Sequence, residues 1–177
     1  MAYVTAWGAL IDTAGLAAGE TVLIPAASSS VGLAAIQVAN AAGAVPVALT
    51  RPAAKADLLR QAGAAHVIVT DEADVAAEVR RIAGAAGARV VFDPVGGPGF
   101  AQLAAVTAER GILLVYGALD SRTTPLPVGD GLGPSLTIRG YLIYEATQND
   151  AKLAAAKAFV LDGLASGALR PRIDRTF

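Results

Sequence analysis

Apolar residues along the chain fall into short runs separated by alanine-rich stretches with helical spacing. Runs at 21–25, 45–50, 66–70, 89–93, 111–117 and 136–143 predict strands, dominated by Val, Ile and Leu. Stretches at 30–42, 54–62, 73–84, 98–109 and 150–166 predict helices, and an apolar helix over 1–15 leads into the first strand. Gly43, Gly63, Gly87, Gly111 and Gly167 follow helical stretches, where glycine commonly ends a helix. Strands alternating with helices predict βαβ units and an α/β fold with a parallel sheet. The stretch from Leu119 to Pro134 breaks the rhythm with Pro, Gly and polar residues, and predicts a long functional loop.

The junction after the first strand carries the chemistry. TVLIPAASSSVG, over 21–32, runs from an apolar strand through small residues directly into a helix. That arrangement aims free backbone N–H groups at an anion, usually a cofactor pyrophosphate. Aligned on Val31 and Gly32, the glycines of a G-x-G-x-x-G fingerprint fall on Ala27, Ser29 and Gly32, so only the third is present. Ser28, Ser29 and Ser30 add hydroxyl donors for phosphate oxygens. The same serines also read as an ordinary helix cap, and the loop alone leaves both readings open. The second strand ends in Thr50-Arg51-Pro52, where an NAD site normally places an acidic residue. Arg51, with Lys55 four residues on, favours a 2′-phosphate, and so NADP(H). A phosphate loop after the first of six strands predicts a doubly wound dinucleotide-binding (Rossmann) sheet in the order 3-2-1-4-5-6, with right-handed crossovers. At the end of the fourth strand, Asp93-Pro94-Val95-Gly96-Gly97 reaches the rim of the crevice. Backbone groups of Val95 and its neighbours are expected to face the nicotinamide half, with Asp93 structural or capping the helix at 98–109.

Composition narrows the remaining classes. The 177 residues have the length of one domain, or of one domain plus part of another. Hydrophobic residues make up 54% and charged residues 16%, with a mean hydropathy of +0.52. That surplus fits a sheet covered on both faces together with a partner surface. No apolar run reaches the ~18 residues a bilayer-spanning helix needs. Fourteen basic and 15 acidic residues are spread along the chain, without the basic block of a nucleic-acid footprint. Cysteine is absent and His66 is the single histidine, so no metal site is expected. No signal-peptide pattern opens the chain, and a cytoplasmic location is expected. There is no nucleophile–base pair and no carboxylate pair, so no catalytic residue is assigned.

Several separate motifs resemble, in order, the cofactor half of the medium-chain dehydrogenase/reductase superfamily, in its zinc-free quinone oxidoreductase branch. They are TAWGAL at 5–10, TVLIPAASSSVGLAAIQVA at 21–39, GAAHVI at 63–68, VVFDPVGG at 90–97, GILLVYGAL at 111–119, LTIRGY at 136–141 and LASGALRPRIDRTF at 164–177. The resemblance implies a GroES-like catalytic domain before this one, whose last strands return after it. Residues 1–167 would then be the cofactor domain and 168–177 the start of the return segment. It also implies Thr5 beside the nicotinamide, with a helix N-cap as the alternative. Thr50, Arg51 and Lys55 are implied at the adenosine phosphate, and the stretch Tyr116, Gly117, Ala118 and Leu119 at the nicotinamide ribose and carboxamide. Thr70 stands where the family often stacks a tyrosine near adenine. A zinc enzyme of the superfamily would carry a cysteine at the place of Met1.

The implied function is NADPH binding for hydride transfer to a quinone or another enone or carbonyl substrate. The substrate pocket would come largely from the missing domain, so that this chain binds cofactor without turnover. Alternatives are the cofactor domain of a zinc-dependent alcohol dehydrogenase, a non-catalytic NADP(H)-binding module, and a methyltransferase, which Arg51 disfavours. Strand six should be outermost, and its segment 136–145 is expected to pair with a second copy in a homodimer.

Overall fold

The computed structural model describes residues 1–126, 128–129 and 135–173. A lead-in helix α1 (Ala2–Trp7) continues as a π-helical stretch, Gly8–Thr13. There follow β1 (Thr21–Ile24), α2 (Ser30–Ala41), β2 (Val45–Thr50), α3 (Ala56–Gln61), β3 (His66–Val69), α4 (Val75–Ala83) and β4 (Ala88–Asp93). The second half contains α5 (Phe100–Ala105), β5 (Thr107–Val115), β6 (Thr137–Gly140), α6 (Tyr144–Thr147) and α7 (Asp150–Ser166). The six strands form one sheet in the order β3-β2-β1-β4-β5-β6, and every pairing is parallel. This is the doubly wound architecture that the alternation of elements predicts.

Successive residues of each strand serve opposite faces of the sheet. Val22 and Ile24 of β1 and Val90 and Phe92 of β4 join one core, beneath α1, α2 and α3. Leu23 and Val91, between them in sequence, join the other, beneath α4 and α5. A sheet covered on both faces needs apolar residues at every position, which is why the strands read as unbroken apolar runs. The chain leaves β1 towards β2 on one side and reaches β4 on the other. A crevice therefore opens between the C-terminal ends of β1 and β4.

Three elements differ from expectation. Helix 98–109 is confined to α5, because Thr107 is already paired with Ala88 in the sheet and its buried hydroxyl donates to the Leu103 carbonyl at 2.8 Å. The expected strand 136–143 stops at Gly140, because Tyr141 turns inward to a position only 2% exposed. The segment 136–145 is therefore a four-residue strand followed by α6, not one continuous edge strand. The helix over 1–15 changes to π-helical geometry at Gly8, where any Cβ would collide with the Tyr141 hydroxyl. The return segment, described as far as Ile173, makes no sheet pairing among the described residues but is held by α2. Gln37 accepts from Arg170 N at 2.6 Å and donates to Arg170 O at 3.2 Å, while Leu169 is buried against Gly163. Residues 174–177, and part of the expected loop at 119–134, lie outside the described residues.

Candidate functional site

β1 delivers the chain to the mouth of the crevice, and the loop turns there at Ala26, a non-glycine residue with φ of 47°. Ala27 is fully buried, and its N–H donates to the Leu49 carbonyl at 3.2 Å, so it acts as scaffold for the turn. Ser29 takes the N-cap position of α2, with extended backbone (φ −72°, ψ 163°) and Oγ accepting from Gly32 N at 3.1 Å. The N–H groups of Ser30 and Val31 make no hydrogen bond among the described residues and stand free at the helix mouth. Gly32 is the point of closest approach: a Cβ there would lie 2.5 Å from the Ala27 carbonyl oxygen and 2.6 Å from its Cα. The one surviving glycine of the fingerprint thus permits the helix to sit directly on the turn. The capping reading holds for Ser29, and the N–H groups of Ser30 and Val31 stand free beside it.

β2 brings cations to the same mouth. Lys55 donates from Nζ to Ser28 Oγ at 3.3 Å, tying the turn after β2 to the loop after β1. Arg51 is exposed, and neither cation forms an ion pair among the described residues. Thr50 is only 5% exposed, and its hydroxyl donates inward to the Pro52 carbonyl at 3.4 Å. Thr70 completes this corner, donating from N and Oγ1 to the Thr50 carbonyl at 2.8 and 3.4 Å. Thr70 therefore braces the end of β2.

The rim on the other side comes from β4 and β5. Asp93 is fully buried and accepts from Val95 N at 2.8 Å and Gly96 N at 3.0 Å. Burial raises its carboxyl above the ordinary aspartate range, and those two N–H bonds oppose the shift. Asp93 fixes the turn after β4 and does not cap α5, whose N-cap is Gly99. Val95 has its N–H committed to Asp93, and its carbonyl accepts from Asp120 N at 3.0 Å. Gly117 passes so close to Pro94 that a Cβ would sit 2.8 Å from the Pro94 carbonyl oxygen. Ala118 and Leu119 project outward, Leu119 at 71% exposure. Asp120 and Thr124, absent from the expected site, brace this rim: Asp120 pairs with Arg122 and Thr124 accepts from Gly97 N. Thr5 lies within α1, with its hydroxyl donating back to the Met1 carbonyl at 3.2 Å, so the helix N-cap alternative falls.

A groove of about 570 Å³ lies beside this rim, lined in part by Tyr116, Ala118, Tyr141, Leu142 and Tyr144. Leu142 and Tyr144 are 62% and 60% exposed, so part of the surplus apolarity sits at the mouth of the site. Tyr116, which opens the stretch expected at the nicotinamide ribose, stacks on Phe92 with centroids 3.8 Å apart, and its buried hydroxyl has no hydrogen-bond partner among the described residues. Burial drives its phenol far above the ordinary value, and the Asp93 charge adds to the shift. Burial likewise pushes Tyr141 up to about 12. Among the described residues, no three His, Cys, Asp or Glu side chains come together to hold a metal, and no helix is long and apolar enough to cross a membrane.

Free helix N–H groups, serine hydroxyls and two cations gather at a topological switch point of the sheet. The sequence profile of the zinc-binding dehydrogenases matches residues 30–159. The chain belongs to the zinc-binding dehydrogenase family. Within that family it is similar to erythronolide synthase EryA2 of Saccharopolyspora erythraea, at 39% identity over 124 residues, 69% of this chain and 3% of the synthase. Among solved structures it is similar to Escherichia coli quinone oxidoreductase complexed with NADPH, at 26% identity and a TM-score of 0.88, covering 97% of this chain and 53% of that one. A 2-haloacrylate reductase gives 26% identity and a TM-score of 0.89, covering 96% and 53%. These likenesses bear out the resemblance to the cofactor-binding half of the medium-chain dehydrogenase/reductases. The chain spans about half of those two enzymes and a small part of the synthase.

Proposed function

We propose that the chain is the NADP(H)-binding domain of a reductase that passes hydride to a quinone or another enone or carbonyl substrate. The observation that carries this reading is the Lys55–Ser28 contact, which brings a cation from the end of β2 onto the phosphate loop beside Arg51. An acidic residue there would hold ribose hydroxyls, whereas two cations attract a 2′-phosphate. The naming of one structural neighbour as complexed with NADPH and of another as a haloacrylate reductase supports both cofactor and substrate class.

The residues present fit the cofactor. Ser30 and Val31 offer N–H groups, Ser28 and Ser30 hydroxyls, and the Gly32 close contact fixes α2 in place to aim them. Arg51 and Lys55 hold the adenosine phosphate, while Val95, Gly117, Ala118 and Leu119 border the nicotinamide half, with Thr5 reaching it from α1. When bound, NADPH supplies a hydride. The protein orients the ring and keeps water from it, and the exposed Leu119 and Leu142 suit both tasks once a second domain covers them. That domain would supply the substrate pocket, with 1–167 as the cofactor domain and 168–177 leading back to it. A homodimer fits the edge of β6, all four residues of which are exposed while α7 packs against α1. The cysteine-free composition suits the cytoplasm.

Calorimetric titration with NADPH and NADH tests the reading, with NADPH expected to bind more tightly. Arg51→Asp replaces attraction by repulsion, and should weaken NADPH by roughly 10- to 100-fold with little effect on NADH. Equal or tighter binding of NADH to the parent chain would refute it.

A further inference from the structure

Tyr116 stands at the end of β5 on the α2 side of the sheet, held flat against Phe92 by a stack with an interplanar angle of 18°. Its hydroxyl is buried and makes no hydrogen bond among the described residues. The polar side chain beside it is Ser29, the neighbour that opposes the burial-driven rise of the phenol. Ser29 in turn caps α2 at the mouth of the crevice. A buried hydroxyl left unpaired is destabilising, and phenylalanine would make the same stack without it.

The geometry points to Tyr116 as a positioning residue of the phosphate loop, one that donates to Ser29 Oγ when the cofactor is bound and so commits the Ser29 proton to the bound anion. The inference rests on the NADP(H) reading above. A serine hydroxyl has one donor and two acceptor lone pairs. One lone pair of Ser29 already accepts from Gly32 N at 3.1 Å. With the second taken by Tyr116, the serine's own proton has the crevice left to it, where the free N–H groups of Ser30 and Val31 already point. Burial and the nearby Asp93 carboxylate keep the phenol protonated, and so able to donate, throughout the physiological range. Small residues around Ser29 allow the short approach that pairing requires.

Tyr116→Phe, Ser29→Gly and the double variant of this 177-residue chain test the proposal. Glycine removes the Ser29 hydroxyl with only a slight cost at an N-cap. Thermal melts without ligand and fluorescence titration with NADPH are the readouts. Tyr116→Phe should raise the melting temperature of the ligand-free chain while weakening NADPH by roughly 2- to 10-fold. In the Ser29→Gly background the same change should leave NADPH affinity nearly unaltered, because its effect runs through the missing hydroxyl. A Tyr116→Phe variant that binds as tightly as the parent overturns the inference, as does an equal loss in both backgrounds or a lower ligand-free melting temperature. In each of those cases parent binding leaves the NADP(H) reading standing. A parent chain that does not bind NADPH overturns that reading and this inference together.

Discussion

Replacing Gly32 with alanine sets two opposed effects against each other, and the structure decides between them. Alanine is the better helix former by about 1 kcal/mol, so in an open helix the change would stabilise. At Gly32 the new methyl would lie 2.5 Å from the Ala27 carbonyl oxygen, 2.6 Å from its Cα and 2.7 Å from its carbonyl carbon. All three are backbone atoms of a turn whose N–H is bonded to Leu49, so no side chain can rotate away. Reaching ordinary contact requires α2 to withdraw by roughly 1 Å, and overpacking of that kind costs about 1–3 kcal/mol or more. The net expectation is a loss of up to about 2 kcal/mol, read as a fall in melting temperature of up to roughly 8 °C for a chain of this size. Withdrawal also loosens the Ser29–Gly32 cap and carries the free N–H groups away from the anion, so NADPH affinity should fall with stability. Gly99→Ala is the control, since a Cβ there meets nothing within 4 Å. Differential scanning calorimetry and NADPH titration of both variants provide the measurement. A Gly32→Ala chain with parental stability and affinity would refute the claim that this glycine sets the helix on the loop.

Burial raises the Asp93 carboxyl, so its ionisation opposes folding: the stability it contributes is full below the unfolded value of 3.8 and is lost as pH rises through the raised folded value. The parent should therefore gain stability relative to Asp93→Asn as pH falls from neutrality towards 4, measured as the difference in urea midpoints, and a constant difference would count against it. Light scattering should find a dimer that Ile138→Lys dissociates, because Ile138 lies on the exposed four-residue strand β6. Leu142 lies beyond the strand and its N–H turns to Glu145 at 3.5 Å, so a proline there leaves the edge ladder intact.

The sheet is legible in the sequence because both of its faces are buried. A strand such as Val90-Val91-Phe92 sends its side chains to two cores, and so appears as a run that no exposed helix would show. The loop geometry was legible where a residue type serves one purpose, as with Gly32, the glycine that lets α2 sit on the turn. Geometry was not legible where the decisive partner is distant along the chain. Tyr141 ends β6 because its ring belongs against Gly8 in the lead-in helix, and nothing local in LTIRGYLIYE indicates that contact. Gln37 reads as one polar position on an apolar helix, yet it grips both backbone groups of Arg170. Tyr116 reads as part of the rim, yet nothing in its neighbours along the chain indicates a hydroxyl buried without a partner among the described residues.

Aligning the fingerprint places its first glycine at Ala27, but the backbone that needs a glycine is that of Ala26, with φ of 47°. An alanine in left-handed geometry costs roughly 1–2 kcal/mol. The strain persists because the turn is fixed on both sides: Ala26 O accepts from Ser29 N at 3.0 Å, and Ala27 N is bonded to Leu49. Ala26→Gly relieves it, while the greater freedom of glycine in the unfolded chain takes back about 0.5–1 kcal/mol. The balance is a gain of up to about 1.5 kcal/mol, or a melting temperature higher by up to roughly 6 °C. NADPH affinity should hardly change, because the glycine adopts the same turn and leaves Ser28, Ser30 and Val31 where they were. Calorimetry and titration on one sample separate the two quantities. A less stable Ala26→Gly chain would mean that the turn is not strained at Ala26, whereas a stabler chain with much weaker NADPH binding would mean that the strain itself holds the loop in its binding geometry.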